Sequence, residues 1–146
     1  MTLEQRIDAF SKLGDFLTQF HPSGLKINKD LPTNELFLEP FRIQVKRAFE
    51  RNGWFTHQNV NSAFNEWGNL LNSKDLNHWS SSYNLKSGSE KSIGVIMAGN
   101  IPLVGFHDFL TVLISGHSIR IKQSSSDAYF LPLIARLLQY VEPGFK

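Results

Sequence analysis

The sequence predicts an α/β protein in two parts, a helical region over residues 1–90 and the beginning of a parallel-sheet domain over residues 91–146. Two observations carry this. Before residue 90 the apolar side chains recur every three or four positions, the period of one helix face. After it, short β-rich runs alternate with apolar segments of helical length, the order that builds a βαβα unit.

Leu3, Ile7, Phe10, Leu13, Leu17 and Phe20 define the first helix, which His21-Pro22-Ser23-Gly24 should end. Pro40 suits the first turn of a second helix that buries Phe41, Val45, Ala48 and Phe49, with Asn52-Gly53 as its left-handed stop. Thr56 is placed to cap a third helix carrying Val60, Ala63, Phe64, Trp67 and Leu71. A short fourth follows Ser73 with Leu76 and Trp79. Residues 80–92, rich in Ser, Lys and Gly, read as a connector.

Beyond the connector, the run from Ile93 to Ala98 reads as a strand buried in a parallel sheet, and residues 103–115 as a helix ending at Gly116. A second strand spans Ser118 to Lys122, and residues 127–141 are mostly helical despite Pro132. Two strands do not complete a doubly wound sheet, and residues 142–146 read as a turn leading to more sequence. The expectation is therefore an incomplete domain.

Composition narrows the function. Apolar residues make up 41% and charged residues 19%, ordinary for a globular chain. The net charge of +2 is spread evenly: residues 1–92 hold 11 Lys and Arg against 10 Asp and Glu, and residues 93–146 hold 4 against 3. No basic stripe for nucleic acid emerges. The absence of cysteine excludes disulfides and thiolate metal sites within the chain. The five histidines show no metal-ligand spacing. No signal peptide is evident, and Asn100, Pro102, His107 and Asp108 interrupt the most apolar stretch, against a membrane span. A cytoplasmic location is expected.

Two segments carry chemistry. In the first, a strand runs into Met97-Ala98-Gly99-Asn100-Ile101-Pro102, placing a polar side chain at a strand's carboxyl end, where open parallel sheets bind ligands. Gly99 permits close backbone approach and Pro102 suits a helix start. Asn100 is either a ligand-facing amide or the cap of that helix. In the second, Lys122 closes the next strand ahead of Gln123-Ser124-Ser125, either entering the same crevice or simply solvated. No glycine-rich phosphate loop is present. His107 and Asp108 are adjacent, about 100° apart on a helix, and do not form a catalytic pair.

Together these segments, AGNIPLVGFHDFL and LISGHSIRIKQSS, resemble the start of the cofactor domain of the aldehyde dehydrogenase superfamily. They are most similar to the LuxC-type, bioluminescence-type fatty acyl-CoA reductases of bacteria. The resemblance covers about residues 93–127 and implies an aldehyde-dehydrogenase-type Rossmann-like nucleotide-binding domain, here its first βαβα unit. It implies an oxidoreductase that reduces long-chain acyl-CoA or acyl-protein thioesters to fatty aldehydes through a cysteine acyl-enzyme. That cysteine is absent from this chain, which alone should be inactive.

By position, Asn100 matches the asparagine that stabilises the oxyanion, and Lys122 the lysine that holds the adenosine ribose. Met97, Ala98, Gly99 and Ser125 fall on cofactor-binding positions. Gln123 replaces the family's usual proline. Ser125 stands where NAD-specific relatives often carry glutamate, which implies NADP, with NAD as the other cofactor the pattern admits. The same resemblance implies a homo-oligomer and an acyl-transferase or acyl-protein synthetase as partner. The residues also admit another reductase branch of the superfamily, such as a semialdehyde or γ-glutamyl phosphate reductase, and a non-catalytic nucleotide-binding or helical interaction module.

Overall fold

A computed structural model describes residues 1–85 and 89–146. Among them are six α-helices and two two-stranded sheets, one antiparallel and one parallel, so the protein is mixed α/β and mostly helical. Part of the expected connector, residues 86–88, lies outside the described residues.

Helix α1 (Leu3–Leu17) opens with a capping box: Thr2 Oγ1 accepts from the Gln5 N–H, and Gln5 Oε1 accepts from the Thr2 N–H. Its face of Ile7, Phe10, Leu13 and Leu17 is buried as the spacing predicts. The helix stops before Phe20, because the chain turns into a hairpin of β1 (Phe20–His21) and β2 (Gly24–Leu25). The expected breaker is thus the hairpin turn, with Gly24 at φ +122°, and Phe20 is buried from a strand.

Helix α2 (Asn34–Arg51) begins a turn and a half before Pro40, which lies inside it. Proline there removes one helical hydrogen bond. Packing explains the tolerance: Phe37 extends the buried stripe of Phe41, Val45 and Ala48, and its ring lies 5.6 Å from that of Tyr140. Phe49, expected in the core, is 55% exposed because it falls off that stripe. The stop is not left-handed either, since Asn52 is extended at φ −146° and its Oδ1 accepts the Trp54 N–H at 3.0 Å.

Helix α3 (His57–Leu70) is capped by Thr56, whose Oγ1 accepts from the Asn59 N–H. It crosses α1 at two glycines. A Cβ on Gly14 would lie 2.9 Å from the Gly68 carbonyl oxygen, and one on Gly68 would lie 2.8 Å from the Thr18 nitrogen. Helix α4 (Ser73–Ser81) is capped by Asn72 and buries Leu76.

Strands β3 (Ser92–Ile96) and β4 (Ser118–Lys122) pair in parallel, Ser92 opposite Ser118 through Ile96 opposite Lys122, with helix α5 (Phe106–Ile114) between them. The expected two-sided burial of the first strand is not seen. Ile93, Val95, Ile119 and Ile121 are half-buried, while Ile96, Arg120 and Lys122 on the opposite face are exposed. Helices cover only one side of this pair. Helix α5 starts at Phe106, not at Pro102, because Ile101 to Val104 form a turn with Leu103 at φ +58°. Gly116, at φ +83°, ends the segment as expected.

A 3₁₀ turn (Ser125–Asp127) precedes helix α6 (Phe130–Val141). Pro132 falls in its first turn, where an N–H has no helical acceptor, so the helix is unbroken. A 3₁₀ turn (Pro143–Phe145) follows and folds back, with the Phe145 ring 5.8 Å from that of Phe10.

Aromatic rings join the helical region to the βαβα unit: Phe10 with Phe109, Phe64 with Phe130, and Trp67 with Phe106. One buried charge spans the same join. Arg6 donates through Nε to the Ile114 carbonyl (2.9 Å) and through Nη1 to the Met1 carbonyl (2.7 Å). The cation sits at the carboxyl end of α5, where the helix dipole favours it, and burial lowers its pKa.

Candidate functional site: the cleft at the strand ends

The two parallel strands release their chains at the same end. Met97 still donates to the Lys122 carbonyl at 3.0 Å, after which both segments leave the sheet. The loop after β3 carries Gly99 and Asn100 into the Ile101 to Val104 turn, and the loop after β4 carries Ser124 into the 3₁₀ turn.

Two contacts fix these loops against each other. Gly99 is buried against Ser124, whose Cβ lies 2.5 Å from where a Gly99 Cβ would be. Glycine is required here by the neighbouring loop itself. Asp127 Oδ2 then accepts the Leu103 N–H at 2.9 Å, holding the one non-glycine residue with positive φ among those described. Burial raises the Asp127 carboxyl pKa, and the Leu103 bond opposes that rise.

Between these loops and the α2–α3 connection lies an open cleft of about 760 Å³. One wall is formed by Gly99, Asn100, Ile101, Ser124 and Ser126, the other by Arg51 to Trp54. Asn100 is exposed in it and does not cap α5, whose N-cap is Gly105. The capping alternative for this asparagine is therefore excluded. Its amide is available to whatever enters.

The sequence-expected residues are only partly brought together. Gly99 and Asn100 line the cleft. Met97 and Ala98 lie behind it, around a void of about 10 Å³ that Asp127 and Leu131 share. Lys122 ends β4 on the exposed face, beside the cleft but not on its lining. Ser125 is exposed, and its neighbours Ser124 and Ser126 line the cleft in its place.

Sequence reading missed Arg51, Trp54, Ser124 and Asp127. Trp54 follows an Asn-Gly pair that reads only as a helix stop, and the partner of Asp127 is 24 residues away. The Arg51 guanidinium stacks 3.6 Å from the centroid of the Tyr129 ring, and its Nη1 donates to Gln44 Oε1 at 2.7 Å. His107 Nδ1 lies 4.0 Å from Asp108 Oδ1, beyond hydrogen-bond range, and both side chains are exposed.

Among the described residues no group of three His, Cys, Asp or Glu is arranged to hold a metal ion, and no helix is long and apolar enough to cross a membrane. No family model matches the chain, and neither a curated protein nor a solved structure matches it.

Proposed function

We propose that this chain is part of an NADPH-dependent reductase that converts long-chain acyl-CoA or acyl-protein thioesters to aldehydes, and that the strand-end cleft is its nucleotide-binding site. The motif resemblance supplies the reaction. The observation that carries the site is the exposed amide of Asn100 at the carboxyl end of a parallel strand, free of any helix-capping duty.

The residues present suit such a cofactor. The described lining of the cleft holds an arginine, hydroxyls and amides and no carboxylate, a donor-rich surface for an anion. When bound, NADPH supplies the hydride that reduces the acyl group. The Asn100 amide donates to the thioester carbonyl oxygen as negative charge develops there. In this reading Lys122 donates to a ribose hydroxyl at the cleft's edge, and Ser125 accommodates a 2′-phosphate that a glutamate would repel. The nucleophilic thiolate is not among this chain's residues and belongs to another segment of the enzyme.

Calorimetric titration of the chain with NADPH tests the site, and following the absorbance of the reduced cofactor with a long-chain acyl-CoA tests the division of labour. Binding without turnover is expected. Sustained turnover by the purified chain would show that the missing cysteine is not needed, and failure to bind NADPH would remove the nucleotide reading.

A further inference from the structure

The wall of the cleft contributed by the helical region carries features that the strand-end reading leaves unused. Trp54 is 77% exposed, more than any other aromatic side chain among the described residues. Its backbone is nevertheless pinned. The Trp54 N–H donates to Asn52 Oδ1 at 3.0 Å, and its carbonyl accepts from Asn59 Nδ2 at 2.8 Å. The next residue, Phe55, is buried and donates its N–H to the Asn52 carbonyl at 2.8 Å. A rigid turn thus holds a large ring in solvent at the edge of a cleft.

Beside it, Arg51 is propped over the Tyr129 ring. Facing the pair are the Asn100 amide and the hydroxyls of Ser124 and Ser126. This chemistry discriminates between the two halves of the proposed reaction's substrates. A long acyl chain needs a run of aliphatic side chains, and Ile101 is the only one on the described lining. A planar ring carrying phosphate needs an aromatic face, a cation and hydrogen-bond donors, all of which are present.

We infer that Trp54 is the stacking surface for the ring of a phosphate-bearing nucleotide, with Arg51 drawing its phosphate, so that the helical region builds one wall of the site. The inference rests on the nucleotide reading of the cleft and adds a contact from outside the βαβα unit.

The test uses the three indole N–H signals of the 146-residue chain in ¹H–¹⁵N spectra during titration with NADP⁺. The Trp54 signal should shift with saturation, while those of the half-buried Trp67 and Trp79 stay in place. Trp54→Ala should weaken NADP⁺ binding by about tenfold or more, from the usual strength of base–aromatic stacking. Trp54→Phe keeps a ring and should stay within about threefold of the wild type. Circular dichroism of both variants checks the fold, and the wild-type spectra decide the matter should Trp54→Ala unfold. NADP⁺ binding with an unmoved Trp54 signal and an unchanged affinity in Trp54→Ala would overturn the stacking role and leave the nucleotide reading standing. Absence of any NADP⁺ binding would overturn both.

Discussion

Removal of the Asp127 carboxylate should loosen the loop that carries Asn100. Its Oδ2 is 2.9 Å from the Leu103 N–H, and Leu103 is buried in the left-handed region at φ +58°. Leaving the buried Leu103 N–H without its acceptor costs roughly 1–3 kcal/mol, and a left-handed non-glycine residue costs roughly 1–2 kcal/mol that such a bond must hold in place. Asp127→Ala should therefore lose about 2 kcal/mol of stability. Asp127→Asn keeps an acceptor oxygen without a charge and should lose little.

Acidity separates the two effects further. Burial raises the Asp127 carboxyl above its ordinary 3.8, so its contribution is fullest below the unfolded pKa and is lost as pH rises through the higher folded one. The stability of Asp127→Asn relative to wild type should accordingly improve from acid to neutral pH. Urea unfolding followed by tryptophan fluorescence, on wild type and both variants across that range, measures this. An unchanged midpoint in Asp127→Ala would mean that the Leu103 turn holds itself. A relative stability of Asp127→Asn that falls with rising pH would refute the direction assigned to the carboxyl.

Gly68→Ala should destabilise by roughly 1–3 kcal/mol, since the added methyl meets the backbone of Thr18 at the α1–α3 crossing, and thermal melts of the two proteins read the difference. In the longer reductase proposed above, Asn100→Ala should lower kcat by roughly 10²–10³ with little change in melting temperature, because the residue caps no helix; a normal kcat would end its proposed role. Ser125→Glu should move cofactor preference from NADP(H) toward NAD(H), and Lys122→Ala should weaken both with the larger loss for NADP(H). Dissociation constants for the two cofactors show whether either residue reaches the ribose.

The elements that were legible in the sequence are those whose signals are local. Thr56 and the apolar spacing behind it specify α3, and β-rich residues bounded by Gly116 and Gln123 specify β4. The start of α2 is not legible in the sequence because Pro40 has a strong local meaning, whereas Phe37 is held by a ring from α6 that no nearby residue announces. One-sided burial of β3 was equally hidden, since a strand's two faces depend on how many neighbours the fold supplies. The site divides in the same way. Gly99 and Asn100 follow from their place at a strand end, while Arg51 and Trp54 reach the cleft only once α2 has packed on α6.

The span of the Arg6 contact has a kinetic meaning. Its acceptor at Ile114 is 108 residues further along, and the ring facing Phe10 is Phe109. The part of α1 around Arg6 and Phe10 therefore waits for α5 before these contacts can form. At usual elongation rates that interval is roughly 5–20 s, long compared with helix formation in microseconds. Such distant pairing slows folding through the entropy of closing a long loop. Throughout that wait the Phe10 end of α1 lacks its α5 partners on a nascent chain, so it is the segment on which a chaperone would act during synthesis.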